Sequence, residues 1–135
     1  MAYMNQEKKQ AIATKIKPIL KKYGVKATMA VHNHSTLVLN IKSGKLDFIE
    51  NFVGNSKGMT SEQVDYIRKN KIIDVNTYWY KEHFTDKPLQ FLSEVIPAMN
   101  TGNYDNSDIQ TDYFEVGWYI NVNIGQWKKP YQLEA

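Results

Sequence analysis

The sequence predicts an α+β fold: a single domain over residues 1–135, in the order α-β-β-α-α-β-α-β, with a mainly antiparallel sheet packed by helices. Three observations lead there. Apolar residues recur at spacings of three and four in some segments, the period of a half-buried helix, and alternate in others, the period of a half-buried strand. Turn-forming stretches such as "HNHS", "KSGK" and "NSKG" separate these segments. A chain of 135 residues is also long enough to bury a core of its own.

The first helix is expected from about Asn5 to Tyr23. Ile12, Ile16, Ile19, Leu20 and Tyr23 form its apolar stripe. Asn5 suits the N-cap, and Gly24 the left-handed position after the end. Pro18 removes a helical hydrogen bond, so a kink or a break into two short helices is expected there. A hairpin follows. "KATMAVH" places Ala27, Met29 and Val31 on one face, and "STLVLNI" does the same with Leu37, Leu39 and Ile41. Asn33 tolerates the positive φ of a tight turn between them.

"KLDFIENFVG" reads as a short helix burying Leu46, Ile49 and Phe52 or Val53. "MTSEQVDYIRKNK" has Thr60 three residues before Gln63, a capping box. "IIDVNTYWY" is β-branched and aromatic, hence a strand. In "TDKPLQFLSEVIPAMNTG", Pro88 suits a helix start, and Leu89, Leu92, Val95, Ile96 and Met99 give the stripe. A polar loop, "TGNYDNSDIQTD", leads to "YFEVGWYINVNIGQW", the clearest strand. Its apolar face is Phe114, Val116, Trp118, Ile120, Val122 and Ile124, with Tyr119, Asn121 and Asn123 opposite. Residues from about 128 to 135 are expected as an irregular tail.

Composition narrows the function classes. The chain has no cysteine, which excludes disulfides, thiolate metal sites and cysteine nucleophiles. It shows neither a secretory apolar run nor a stretch of the roughly 20 apolar residues a membrane span needs, so a cytoplasmic protein with no membrane partner is expected. The net charge of +3 is uneven, with seven lysines against one glutamate in residues 1–26. That basic end suggests an electrostatic contact surface.

Candidate chemistry is sparse. His32 and His34 lie two apart, but two ligands do not make the three or four a zinc site needs, and no metal or cofactor is expected. Asp105, Asp108 and Asp112 lack the spacing of a calcium-binding EF-hand loop. His34-Ser35-Thr36 and His83-Phe84-Thr85 both read H-x-T and resemble the paired motifs of the two-histidine phosphoesterases. That resemblance implies that His34 and His83 serve as base and acid on one phosphodiester, each aided by its hydroxyl, Thr36 and Thr85. Imidazole is suited to both roles. Asp86 after Thr85 departs from the family's preference for an apolar residue, and Thr85 is equally a helix cap. For nucleic acid, Lys15 and Lys22 on the first helix can neutralise phosphates, and Trp127, Lys128 and Lys129 form a second basic-aromatic group. A single arginine, Arg68, argues against sequence-specific readout.

The helix "IKPILKKYGVKATMAV", the hairpin "HNHSTLVLNIKSG" and the late strand "WYINVNIGQW" together resemble small domains of phages and plasmids, related to those attached to large polyvalent proteins. The resemblance spans most of the chain. It implies an α+β fold, a mobile-element origin and an accessory role, and it carries no catalytic residues. The expectation is a small phage-type accessory protein that binds a host or phage macromolecule, protein or nucleic acid, without catalysis. The phosphoesterase is the alternative. Tyr78 and Tyr119, on the exposed faces of the aromatic strands, are the candidates to cover a homodimer interface or line a pocket.

Overall fold

In the computed structural model, which describes residues 4–55, 58–101, 118–126 and 129–134, Asn5 caps helix α1 (Gln6–Tyr23) by accepting from Lys8 N at 2.8 Å. Gly24 closes it at φ 67°, where its N–H reaches back to the last carbonyls. One helix runs through Pro18. The proline is exposed, while Ile12 and Ile16 are buried and hold the helix on the core. Strands β1 (Val25–His32) and β2 (Thr36–Gly44) follow as an antiparallel hairpin. Asn33 and His34 both have positive φ, 53° and 55°, and Ser35 N donates to His32 O at 3.1 Å. This is the pattern of a type I′ turn, which suits the twist of a hairpin.

Helix α2 (Phe48–Asn55) is capped by Asp47, whose carboxylate accepts from Glu50 N. Helix α3 (Ser61–Asn70) carries the expected capping box of Thr60 and Gln63. Strand β3 (Ile73–Val75) is shorter than the sequence suggests. The Asn76 side chain accepts from both Tyr78 N and Trp79 N, turning the chain out of the sheet into the short helix α4 (Tyr80–His83). Helix α5 (Asp86–Met99) holds Pro88 in its first turn and Pro97 in its last. Strand β4 (Tyr119–Ile124) completes the sheet; the earlier part of the expected strand, 113–117, and the polar loop with Asp105, Asp108 and Asp112 lie outside the described residues.

The mixed α+β architecture is as expected, with one open sheet of order β1-β2-β4-β3. Its flanking pairs, β1–β2 and β3–β4, are antiparallel, but the central pair β2–β4 is parallel. Between β2 and β4 the described residues form four helices and β3, and the chain re-enters at the end where β2 began, which only a crossover allows. The tail is not wholly irregular. Strand β5 (Gln132–Leu133) pairs parallel with β2 at Ser43 and Gly44. Tyr131 is buried and donates to Leu46 O at 2.6 Å.

Register separates the faces. Ala27, Met29 and Val31 align with Ile41, Leu39 and Leu37, and these with Ile124, Val122 and Ile120. They face inward, where Ile12, Ile16, Phe48, Phe91 and Leu92 complete the core. On α1 and α5, Lys22 Nζ lies 3.1 Å from Glu94, and Tyr23 donates its hydroxyl to the same carboxylate. The Tyr23 hydroxyl, and then Lys22, hold Glu94 below its usual range. A depressed carboxylate contributes stability above its unfolded pKa and loses it as pH falls through the folded value. Glu94→Gln is therefore expected to lower the melting temperature at neutral pH, with the gap from the parent closing on acidification below pH ~4. Thermal melts across that range check this.

Candidate functional site

The two H-x-T motifs are not brought together. His34 lies in the β1–β2 turn, exposed, and its carbonyl accepts from Met4 N. The turn adjoins the start of β4, because Tyr119 N donates to Ser35 O at 2.9 Å. Trp118, next to it, donates its indole N–H to Met99 O at the C-terminal end of α5. His83 belongs to the other end of that helix, on α4, with its ring 5.6 Å from Phe52 of α2. The 14 residues of α5 span about 21 Å at 1.5 Å each, so the histidines sit near its opposite ends, beyond reach of one phosphate. Their hydroxyl partners also serve other purposes. Thr36 pairs with His32 at the hairpin end. Thr85 occupies the N-cap position of α5 without a side-chain cap; its hydroxyl accepts from Asn51 and Asn55 of α2. His32 ends β1 and His34 is in the turn, so they do not stand together on one strand face. Among the described residues no group of three or more His, Asp or Glu is placed to hold a metal ion.

The basic residues give a more coherent arrangement, and only part of it was expected. Lys22 is committed to Glu94, which raises its pKa. Lys15 is exposed on α1. Trp127 and Lys128 lie outside the described residues. Tyr131, part of the same sequence group, is a core residue whose hydroxyl burial pushes up, and so is no stacking platform. Lys129 is exposed beside a groove of about 460 Å³ formed where β4 parts from β2.

The backbone builds that groove. Gly125, at φ 76°, donates to Ile41 O at 2.9 Å and then turns the chain away. Gln126 and Lys129 exchange backbone hydrogen bonds of 2.8 Å, closing a small loop. Tyr131 N then donates to Lys71 O at 3.0 Å, and β5 resumes the pairing with β2 that β4 gave up. The gap is lined by Lys42, Ser43, Gln126, Lys129 and Gln132. Nearby, Lys26 lies 3.1 Å from Glu134 and Ser43 donates to the same carboxylate, so Lys26 first and Ser43 second hold Glu134 below its usual range. Lys42 and Lys129 form no ion pair among the described residues. The groove thus offers two uncommitted ammonium groups with amide and hydroxyl neighbours, a surface suited to phosphate oxygens.

Lys42 is the site residue that sequence reasoning missed. Its signal is modest: alternation through "LVLNIK" sets it with Val38 and Asn40, but the register shifts at this point, with Lys26 opposite Ser43 and Ala27 opposite Ile41, so Lys42 stands at a bulge of β2 without a partner on β1. Nothing in the spacing shows that the tail returns beside it.

Elsewhere, Tyr66 is 58% exposed at an apolar groove of about 580 Å³ between α2 and α3, with Phe52, Met59 and Ile67. Tyr78 and Trp79 are 83% and 59% exposed on the turn pinned by Asn76. Tyr119 starts β4 as expected of a strand residue, whereas Tyr78 lies beyond the end of β3 and is exposed on a turn, not on a strand face. No helix of the described residues is long and apolar enough to cross a membrane. Compared with protein-family models, with curated proteins and with solved structures, the chain finds no match in any of the three, and the site is read from its own residues.

Proposed function

We propose that this chain is a small binding module for a polyanion, with nucleic acid as the ligand, and that it acts by association rather than turnover. One observation carries the reading: Lys42 and Lys129 flank the same polar groove at the end of the sheet with no carboxylate paired to either among the described residues. Ammonium groups held on a folded surface displace counterions from a phosphate backbone, and this gives affinity without sequence preference. A single arginine in the whole chain fits that lack of base readout. The accessory role and mobile-element origin implied by the resemblance belong to the same proposal.

The test is a salt titration of nucleic-acid binding by fluorescence anisotropy. Binding should weaken linearly in log K against log salt. The Lys42→Ala/Lys129→Ala double variant should lower the magnitude of that slope by about 1.4–1.8, the value for two lost phosphate contacts. Lys22→Ala should change it far less, since Glu94 already holds that ammonium. Binding that is absent at low ionic strength, or that is indifferent to the double variant, overturns the proposal.

A further inference from the structure

The strand order β1-β2-β4-β3 leaves the sheet two edges, and they differ. β3 is three residues long and is cut off at Val75 by the turn that Asn76 holds. β1 runs for eight residues and, among the described residues, pairs with β2 alone. Alternate residues of such a strand turn their N–H and C=O away from the one partner, so the free side of β1 is a row of backbone donors and acceptors. Lys26, Thr28 and His32 are exposed along it. The devices that blunt an edge strand are few here. "VKATMAVH" has no proline and one charge, Lys26, which is already paired with Glu134. The bulge at Lys26/Ala27 puts its extra residue on β2 and leaves β1 regular.

The inner face supplies a second, independent observation. Leu37, Leu39 and Ile41 of β2 are fully buried, whereas their partners on β1, Val31, Met29 and Ala27, are only partly covered. The apolar row of the sheet therefore runs out beyond the cover of α1. That helix meets α5 on its Lys22 side. At 3.6 residues per turn, Ala13 lies about 180° and Leu20 about 160° around α1 from Lys22. Both are partly buried, so the flank of α1 above the β1 edge is small and apolar. The exposed Lys17 beside them carries its ammonium past on a long stem to water.

We infer that β1 pairs with β1 of a second copy of this chain, antiparallel about a twofold axis at Met29, so that two sheets join edge to edge. An antiparallel edge is its own complement, and a twofold contact sets the same surface against itself. Residues that meet across the join must share a face. The axis at Met29 sets Met29 against its own copy and Ala27 against Val31 on the inner face. On the outer face it sets Thr28 against Ala30 and Lys26 against His32. No lysine meets a lysine in this register. The inner apolar row of one copy then continues into that of the other, a match that an unrelated strand does not supply. The paired segment, residues 26–32, is about 23 Å long at 3.3 Å per residue.

The experiment is sedimentation velocity on the full chain across a concentration series, where the parent is expected to show a monomer–dimer equilibrium. Met29→Lys sets like charges against each other at the axis and should raise the dimer dissociation constant at least about tenfold; Met29→Glu should do the same. An equal mixture of the two variants should regain the dimer, because lysine then faces glutamate. A variant that merely folds badly cannot be repaired by mixing, and circular dichroism melts of each show that it is folded; Met29 is only partly buried. Tyr78→Lys, on the turn beyond β3 at the other edge, should dimerise as the parent does. A parent that stays monomeric throughout the series overturns the inference and leaves the edge to a strand from another protein. A dimer that survives Met29→Lys, that mixing does not restore, or that Tyr78→Lys abolishes overturns it as well. None of these outcomes bears on polyanion binding, which the salt titration tests by itself.

Discussion

Phe48→Ala is expected to destabilise the protein by about 3–5 kcal/mol, the cost of emptying a large buried site. Phe48 has no exposed surface. Its ring packs edge-on against Phe84, Phe91 and Tyr131 at centroid distances of 6.4, 5.6 and 5.4 Å. It thus joins α2 to α5 and to the returning tail, three elements far apart in sequence. Truncation leaves a cavity that aromatic neighbours on separate elements cannot easily close, which places the loss toward the upper end of that range. Urea denaturation of parent and variant measures it. A loss below ~1 kcal/mol, the scale of a surface change, would mean that Phe48 does not anchor the core.

Gly125→Ala is the second large effect, with an expected cost of about 2–5 kcal/mol. Two penalties combine. The backbone sits at φ 76°, where an L side chain costs about 1–2 kcal/mol. A Cβ there would lie 2.2 Å from Lys71 O and 2.9 Å from Tyr131 N, wedging into the hydrogen bond that those two atoms make. Neither neighbour is a side chain that swings aside, so backbone must move, at about 1–3 kcal/mol more. The bond from Tyr131 N to Lys71 O brings the tail back beside β2. The same substitution should therefore loosen the groove and weaken polyanion binding even at temperatures where the protein stays folded. Gly54→Ala is the matched control. It lies inside α2 with open space around its Cβ position, and it should stabilise the helix by about 0.5–1 kcal/mol. Opposite signs at the two glycines, read from thermal melts, check the argument.

Local physics made much of the fold legible. Asn5, Gly24, Thr60 with Gln63, and Asn33 act on the few residues around them, so a cap or a turn can be read from its own neighbourhood. Alternation in "STLVLNI" and "YINVNI" placed Leu37, Leu39 and Ile41 on one face with Ile120, Val122 and Ile124, because side chains on a strand must alternate, but Val38 and Asn40 on the other face of β2 are buried as well. The misreadings have two causes, one local and one tertiary. "IIDVNTYWY" has strand composition throughout, but the Asn76 side chain captures two backbone donors and ends the strand at Val75. Phe48 lies off the helical stripe read from the sequence, and only the approach of α5 and the tail makes it a core residue.

The candidate site shows the same division more sharply. The sequence by itself determined that the chain is lysine-rich at one end, nearly without arginine, without cysteine, and built with alternating polar and apolar strand faces. The tertiary structure decided which of those charges are available. It paired Lys22 with Glu94 and Lys26 with Glu134, buried Tyr131, held the two H-x-T motifs apart, and set Lys129 across a groove from Lys42. Caps and strand alternation depend on residues a few positions apart. A site depends on pairings such as Lys22 with Glu94 or Lys42 with Lys129, about 70 to 90 positions apart, whose proximity is set by sheet register and by the crossover that makes β2 and β4 parallel.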